Sequence, residues 1–585
     1  MIVRLRGRIL AGLAVLAAAL LALLVLAPAA SAHAVVVGSD PTDGQRLASP
    51  PAKVTIRFDE AVGLSLGYLR VVDAAGRRVD AGTVTHPGGV GSSISVALKP
   101  SLPDGTYLAS FRVVSADSHP VIGSLRFVIG NGPLSLSGTP ASGTTTQRSV
   151  TVALAVVHWL SFAGVGLVGG CWLVFSIWPS GQRQLAVRRA VWAGWIAAVA
   201  GAVGEFLLQG PYAAGTGLAT IGRTELLDAT LHVNSGQLLS LRLVLIGVLG
   251  LVLTALFTDD LRRRPSWGPE AAAMVGVGIV VTYAATGHSQ SANPRWLAVL
   301  VDSLHLSAMI VWLGGLAILV VAAFARSRPA PADPDAYADA DADDDADAEA
   351  DDADADAAEL AAGLPIFSRV ALGAVVTLAV TGTVQAWREV GTVDAITTTM
   401  YGRLVVAKVA LFIGLVVLGY FARRIVQRRD WTQARSNGPL TRMRRALLVE
   451  VIVGAAVLGV TGVLIAQPPG KVALAAERSK PVSATVVLVR GGASAATVAV
   501  NPGRHGAVDV QITITGGSTP TAVSATAALP GKQLGPYPLK LVSSGARSYS
   551  ASGLILPSAG TWQLTLTVQT SEFDAITAVA QVHLS

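Results

Sequence analysis

Residues 297–324 read Leu-Ala-Val-Leu-Val-Asp-Ser-Leu-His-Leu-Ser-Ala-Met-Ile-Val-Trp-Leu-Gly-Gly-Leu-Ala-Ile-Leu-Val-Val-Ala-Ala-Phe. An α-helix rises about 1.5 Å per residue, so this apolar run is long enough to cross a hydrocarbon core of about 30 Å. Asp302 and His305 are its only ionisable side chains. The run predicts a transmembrane helix. Its ionisable residues are candidates for function, because charge inside a bilayer is costly.

Seven other runs are of similar length and apolarity, and they predict an all-α bundle of about eight transmembrane helices between residues 150 and 467. The chain is 52% hydrophobic and 14% charged, with a mean hydropathy of +0.56, which excludes an ordinary soluble protein. The predicted spans, numbered 1 to 8, are 151–178, 186–209, 237–258, 270–287, 297–324, 367–387, 403–422 and 445–466.

The basic residues of the bundle predict its orientation. Arginines cluster after spans 1, 3, 5 and 7, which all lie on one side of the membrane if there are eight spans, and the positive-inside rule makes that side the cytoplasm. Both ends of the bundle then face outward. No nucleic-acid-binding motif accompanies the net charge of +7, so we expect no nucleic-acid partner. The clustered arginines are Arg183, Arg188, Arg189, Arg262, Arg263, Arg264, Arg326, Arg328, Arg423, Arg424, Arg428, Arg429, Arg442, Arg444 and Arg445.

Residues 1–32 predict a secretory signal peptide. Three arginines precede an apolar stretch over 9–26, and Ala30-Ser31-Ala32 offers the small residues at which such signals are cleaved. Cleavage after Ala32 makes His33 the first residue of the mature protein. The apolar stretch is long, so an uncleaved anchor is the alternative.

Two further regions predict β domains. Residues 33–130 alternate strand-like runs with turn signals, including the strands 54–58, 68–72, 93–97, 105–114 and 123–129. This spacing is typical of an all-β sandwich or small barrel. Residues 131–149 are rich in Gly, Ser, Thr and Pro and predict a flexible linker. Residues 471–585 predict a second β-sandwich, with strands at 484–489, 508–514, 554–556 and 562–568.

An acidic loop at 329–362 separates spans 5 and 6. It is dominated by Asp and Ala, so it lacks the apolar residues needed for a core and predicts a disordered cytoplasmic segment. Cys171 is the only cysteine, so the chain forms no internal disulfide and no multi-thiolate metal site.

Three residues near the N-terminus predict a metal site. A mature N-terminal His33 offers its α-amine and an imidazole nitrogen, and Asp117 and His119 add a carboxylate and a second imidazole. Nitrogen and oxygen donors of this kind suit Cu(II). Asp117 and His119 lie two residues apart, so in an extended segment both project to the same side. The alternative is that the three are unrelated surface residues.

The N-terminal region resembles the CopC copper-resistance family. The resemblance rests on His33-Ala34, the turn at 41–44, the strand at 54–58, and Ser-Ala-Asp-Ser-His-Pro at 115–120. It implies a β domain that binds Cu(II) through the N-terminal amine and imidazole, a second histidine and an aspartate, here His33, His119 and Asp117. Some members also carry a methionine-rich Cu(I) loop, but residues 33–130 contain no methionine, so we expect Cu(II) alone there.

The membrane region resembles the CopD family, which is often fused to CopC. The resemblance rests on His-Leu-Ser-Ala-Met-Ile-Val-Trp-Leu-Gly-Gly at 305–315, Phe-Ser-Arg at 367–369, Val-Thr-Gly-Thr at 380–383 and residues 401–408. It implies copper transfer across, or copper handling at, the membrane. The C-terminal region holds the place of a YtkA-like β domain in some three-part CopC–CopD fusions.

Three intramembrane histidines form a candidate membrane copper site. His158, His288 and His305 lie near the outward ends of spans 1, 4 and 5. Interfacial histidines bonded to water or backbone are the alternative. Glu205, Asp302 and Met309 are candidate partners, and Lys408 and Glu450 are predicted to form a structural pair within the bundle.

A weak internal repeat relates spans 1 and 5. His158-Trp-Leu-Ser161 precedes Gly169-Gly170, as His305-Leu-Ser307 precedes Gly314-Gly315. Internal repeats are common in transporters.

The leading hypothesis is therefore a multi-pass plasma-membrane protein with both β domains extracytoplasmic (periplasmic in a cell with two membranes). It captures Cu(II) and handles or imports copper in homeostasis or resistance, and is not an enzyme. Expected partners are copper ions, the lipid bilayer and extracytoplasmic copper chaperones. The alternatives are a copper-dependent oxidative enzyme using a histidine brace and a haem-binding membrane redox protein.

Overall fold

The computed structural model describes residues 34–115, 120–130, 147–258, 265–287, 289, 294–325, 342–428, 438–478, 482–488, 494–545, 547–571 and 574–585. The predicted signal peptide lies outside these residues, as does the linker up to residue 146. The chain forms two compact units, one holding the membrane helices and the other both β domains. The predicted fold class, a helical membrane bundle between two β domains, is confirmed.

The N-terminal β domain is built from two four-stranded sheets, ordered β1-β3-β6-β5 and β2-β8-β7-β4. Alternate residues of β3, Val54, Ile56 and Phe58, are buried in the core between them, which is the period-2 pattern of a strand with one covered face. The strands are β1 Val36–Asp40, β2 Gln45–Leu47, β3 Lys53–Phe58, β4 Gly63–Asp73, β5 Asp80–Thr85, β6 Ser93–Leu98, β7 Gly105–Val114 and β8 Pro120–Ile129.

The C-terminal β domain pairs a five-stranded sheet, β14-β15-β11-β10-β9, with a four-stranded sheet, β13-β12-β16-β17. Trp562 is fully buried in its core and donates its indole N–H to the Ser558 carbonyl at 2.9 Å. The strands are β9 Val482–Val487, β10 Ser494–Asn501, β11 Gly506–Gly516, β12 Ala522–Leu529, β13 Leu534–Leu539, β14 Val542–Gly545, β15 Ser548–Leu556, β16 Gly560–Gln569 and β17 Ala575–Leu584.

Several of these strands were not expected from the sequence. β10 and β12 are rich in alanine, and β12 reads Ala-Val-Ser-Ala-Thr-Ala-Ala-Leu. Alanine favours helices intrinsically, so local propensity argues against a strand there. β12 nevertheless pairs with β13 on one side and β16 on the other, and this pairing decides its conformation.

Eight helices of the described chain are long and apolar enough to cross a membrane, as predicted. They keep the numbering of the predicted spans, and each contains most of the predicted range. Their bounds are span 1 Arg148–Ser176, span 2 Leu185–Ala214, span 3 Asn234–Leu256, span 4 Gly268–Thr286, span 5 Arg295–Phe324, span 6 Ala355–Val390, span 7 Met400–Phe421 and span 8 Arg444–Ile465.

The acidic loop differs from its predicted disorder. From Ala342 onward it is helical and continuous with span 6, while residues 329–341 lie outside the described chain. Alternating alanines favour the helix. Its end is anchored because Asp356 accepts hydrogen bonds from the Trp178 indole and the Gln184 side chain at 2.8 and 2.7 Å. Glu359 accepts another from the Ser180 backbone N–H at 2.9 Å.

Spans 1 and 5 are in direct backbone contact through their glycines. A Cβ on Gly170 would overlap the carbonyl oxygen of Gly314, and a Cβ on Gly314 would overlap that of Gly166. Small residues allow such close helix packing in membranes. The two arms of the weak sequence repeat therefore meet at their glycines.

A π-helical turn lies at this crossing. It covers Ile310–Gly314 within span 5. The indole of Trp172, on span 1, donates to the Val311 carbonyl of this turn at 3.1 Å. Such turns are uncommon and occur often at functional sites.

The close contact between spans 1 and 5 predicts that two glycine-to-alanine variants differ strongly in stability. We expect Gly314→Ala to destabilise the purified protein by about 1–3 kcal/mol or more, because the new methyl has no space. Gly414→Ala, on span 7 where nothing lies within 4 Å, is the matched control and should leave the melting temperature unchanged or slightly higher. Equal melting temperatures for the two variants in detergent would contradict the close contact.

Candidate functional site

The predicted Cu(II) ligands of the N-terminal domain, His33, Asp117 and His119, lie outside the described residues. The residues next to them along the chain are described. Ala34 and Val113 are both buried in the core of that domain. Val114 at the end of β7 pairs with Pro120 at the start of β8, so Asp117 and His119 belong to the connection between two paired strands.

The structure places two of the three candidate membrane histidines in one cavity. His288 lies outside the described residues, whereas His158 and His305 both line a cavity of about 670 Å³ within the bundle. This volume is in the range of small-molecule sites rather than of a single bare ion. The polar lining residues are His158, Glu205, Gln209, Tyr212, Ser235, Arg242, Tyr283, Thr286, Asp302, His305, Thr383, Gln385, Arg388, Glu389, Tyr401, Lys408 and Thr461.

His305 is held in one orientation by a threonine of span 6. Its Nδ1 lies 2.9 Å from Thr381 Oγ1, and that hydroxyl lies 2.6 Å from the Thr377 carbonyl oxygen. The only hydroxyl proton of Thr381 goes to the carbonyl, so Thr381 accepts from the Nδ1–H of His305. In a neutral imidazole the other nitrogen, Nε2, then carries the free lone pair. A hydrogen bond of this kind at one ring nitrogen fixes the imidazole and leaves the other nitrogen available to a ligand.

Gly382 lies beside this imidazole. A Cβ on Gly382 would be 3.4 Å from His305 Cε1, which is close to ordinary van der Waals contact. The Val-Thr-Gly-Thr motif of span 6 thus lies against His305 and supplies its hydrogen-bond partner. Met309 lies one helical turn further along span 5 and lines the same cavity.

His158 also keeps a nitrogen free. Its Nδ1 is buried and has no hydrogen-bond partner in the described part of the chain. The neighbouring Trp159 donates its indole N–H to the Ala455 carbonyl at 3.0 Å, which joins spans 1 and 8 beside the histidine. A buried imidazole nitrogen without a partner is unusual and suggests a ligand or water at that point.

A buried ion pair lies on one side of the cavity. Arg242 Nη1 donates to Glu205 Oε2 at 2.6 Å, and the arginine side chain is only 1% exposed. Its Nη2 donates to the Thr282 carbonyl and the Thr286 hydroxyl at 3.1 and 2.8 Å. The guanidinium also stacks 3.6 Å from the Tyr283 ring centroid, so its charge is well compensated.

A second polar cluster lies on spans 5 and 6. Asp302 accepts from Gln385 at 2.9 Å and pairs with Arg388 at 3.4 Å, and Arg388 Nε donates to Glu389 at 2.8 Å. Glu389 Oε2 and Glu205 Oε1 are buried without a partner among the described residues. Glu205 and Asp302 are the carboxylates that the sequence suggested as candidate partners of the histidines, and each forms an ion pair with an arginine.

The predicted pair of Lys408 and Glu450 does not form. The ion pairs of the described chain do not join these two residues, and Lys408 lines the cavity whereas Glu450 does not. Lys408 faces the cavity together with Asp302 and His305. The described residues also contain no cluster of three His, Cys, Asp or Glu side chains placed to hold a metal.

The cavity is electrically balanced by its own residues. Three carboxylates, Glu205, Asp302 and Glu389, face three cations, Arg242, Arg388 and Lys408. The sequence analysis did not select the two arginines or Glu389. An intramembrane ionisable residue is a functional candidate by default, so that signal was present for all three.

The Arg242–Glu205 pair predicts a non-additive pair of substitutions. Arg242→Met should cost about 3–5 kcal/mol of stability, because it leaves the Glu205 carboxylate buried and uncompensated. Adding Glu205→Leu should recover most of the loss. Melting temperatures of the three purified variants measure this, and a double variant as unstable as the sum of the singles would contradict the pairing.

Comparison with known proteins finds family matches for the N-terminal β domain and for part of the membrane region. A family model described as the CopC domain matches residues 36–130, and one described as copper resistance protein D, CopD, matches residues 361–464. The chain is similar to copper transport protein CutJ of Bacillus subtilis (strain 168), with 28% identity over 459 residues, 77% of each chain.

The N-terminal region has further relatives. It is 30% identical to copper resistance protein C of Pseudomonas syringae pv. tomato over 105 residues, which are 17% of this chain and 82% of that protein. The crystal structure of CopC from Methylosinus trichosporium OB3b is 26% identical, covering 17% of this chain and 93% of that chain with a TM-score of 0.16.

Proposed function

Because the chain belongs to the CopC–CopD copper-resistance family, with both domains in one polypeptide, we propose that it captures Cu(II) outside the cell and imports copper across the plasma membrane. One observation carries the proposal. The same polypeptide holds a CopC domain and a membrane domain, and in a cavity of the membrane domain His158 and His305 each keep a ring nitrogen free. Capture and passage of the same metal would then occur in one molecule.

The capture site is proposed at His33, Asp117 and His119. The α-amine of a mature N-terminal His33 has an ordinary pKa of about 7.7–8.0, so a metal can displace its proton near neutral pH. Two imidazoles, an amine and a carboxylate favour Cu(II). The 33–130 region has no methionine that would offer Cu(I) a thioether ligand.

Cu(II) titration of the isolated 33–130 domain tests this site. We compare a domain that begins at His33 with one that carries a single extra residue before it. The extra residue removes the terminal amine from the site, so the second domain should bind Cu(II) much more weakly, and its visible absorption band should change because a nitrogen ligand is lost. Equal affinities would refute the amine as a ligand.

The passage site is proposed in the membrane cavity, with His158 and His305 as copper ligands and His288 as a third candidate. On the orientation that the loop arginines indicate, both described histidines lie in the extracytoplasmic half of the bundle. Copper is here the cargo of the protein rather than a resident cofactor. Extracytoplasmic copper chaperones are the expected donors or acceptors.

Copper accumulation in cells tests the passage site and its direction. Cells that express the protein should accumulate more copper than cells without it, and His305→Ala and His158→Ala should each remove most of the difference. Thr381→Ser is the control that retains the hydroxyl at His305 and should accumulate copper normally. Lower copper in expressing cells would show export or exclusion and contradict import.

We propose no catalytic role for the protein. In a copper monooxygenase the histidine brace keeps a coordination position open or neutral, and here Asp117 would occupy that position. Oxygen consumption by the 33–130 domain with Cu(II) and a reductant should therefore stay at the level of copper alone. A haem band in the purified full chain would instead support the membrane redox alternative.

A further inference from the structure

Glu450 is a buried acid without a partner. It is 2% exposed, and its Oε1 has no hydrogen-bond partner in the described part of the chain. The ion pair with Lys408 that the sequence suggested does not form. An acid in this state calls for a physical explanation, because an unpaired charge inside a membrane protein is costly.

Glu450 lies beyond the end of the cavity at Val457 and Leu313, which we call the cavity floor. On span 8 the cavity is lined from Val457 onward, and Glu450 precedes that residue by two helical turns, or about 10 Å. Between them lies Gly454, where a Cβ would come within 2.8 Å of Leu313 Cδ2. Leu313 itself lines the cavity, so this contact closes it on the side of Glu450.

Glu450 has no described polar partner on the helices packed against it. Span 8 packs against spans 1, 5 and 7. The titratable residues within those spans are His158, Cys171, Asp302, His305, Tyr401 and Lys408, besides Tyr420 and the arginines near the span ends, and Glu450 has no hydrogen bond or ion pair to any of them among the described residues. The last part of span 5, Gly315–Ala325, contains no ionisable residue. In the empty protein the acid is therefore most stable when protonated and neutral.

A copper ion that leaves the cavity changes this balance. The cavity residues are already neutral in sum, three carboxylates against three cations, so they offer no spare negative charge to accompany the ion. A cation beside Glu450 stabilises its ionised form. Glu450 does not line the cavity that holds the candidate copper ligands, so it acts here through its charge rather than as a coordinating group.

We propose that Glu450 is a proton-exchanging residue of the copper path, protonated while the path is empty and ionised while a copper ion passes the cavity floor. The carboxylic O–H bond breaks and the proton passes to water on the side from which copper enters. The carboxylate balances the cation until copper leaves, and a proton is then taken up from the side to which copper leaves. Copper movement is then coupled to proton movement. This inference rests on the transport role proposed above.

Liposomes that contain the purified full chain test the coupling. Copper is added outside as CuCl₂, and in parallel with ascorbate as Cu(I), while one trapped dye reports copper and another reports pH. The wild type should take up copper with a matching rise of internal pH, because each exchange removes a proton from the inside. Glu450→Gln should lose both signals, although copper still binds to the purified protein.

The control variants distinguish a loss of proton exchange from a loss of packing or stability. Glu450→Gln removes only the ability to ionise, so its melting temperature should be unchanged or higher, whereas Glu450→Asp keeps the acid and should retain transport. Ser303→Ala removes another buried oxygen without a partner, one that does not ionise, and should transport normally. A loss of transport equally severe in Ser303→Ala would assign the effect to packing and overturn the inference.

The remaining outcomes distinguish the two proposals. Wild-type liposomes that bind copper but take up none would overturn the transport role and this inference together. Glu450→Gln liposomes that move copper as the wild type does would overturn this inference alone. Copper uptake by the wild type without any proton signal would also overturn this inference alone.

Discussion

The backbone contact between spans 1 and 5 is the constraint on which the membrane unit depends. Gly166 and Gly170 lie directly against Gly314, so the two helices approach as closely as their backbones permit. The π-helical turn of span 5 occurs at this point, with Trp172 bonded to the Val311 carbonyl. Each helix carries its histidine toward the same end, His158 on one and His305 on the other, and the cavity lies between the spans above the crossing.

Charge balance is the second constraint. Arg242 neutralises Glu205, and Arg388 is shared by Asp302 and Glu389, so the polar groups of the cavity are largely satisfied by one another. Pairing makes these five ionisable residues tolerable inside a membrane. On the proposed function, a copper ion in the cavity would therefore add charge that the cavity residues do not compensate.

The candidate copper ligands differ between the two regions. The N-terminal domain has nitrogen and oxygen candidates and no methionine, whereas Met309 lines the membrane cavity one turn from His305. Softer ligands favour Cu(I) and harder ones Cu(II). The two proposed sites therefore offer candidate ligands of different softness.

The fold class and most of the organisation follow from the sequence. Long apolar runs specify the eight spans, because a membrane leaves few alternatives for 20 apolar residues, and period-2 runs such as Val54–Phe58 indicate the β domains. His158 and His305 were identifiable for a similar reason, since polar residues stand out in an apolar helix. Short sequence motifs, which do not depend on distant residues, also indicated the family.

Tertiary structure alone decided which residues meet. Arg242 and Glu205 are 37 residues apart and His305 and Thr381 are 76 apart, so local periodicity carries no information about either pair. The alanine-rich strand β12 and the helical end of the acidic loop also depend on partners distant in sequence. The pair of Lys408 and Glu450 that the sequence predicted illustrates the same limit. Lys408 was a reasonable partner by charge, but helix packing places the lysine in the cavity and leaves the acid alone beneath its floor.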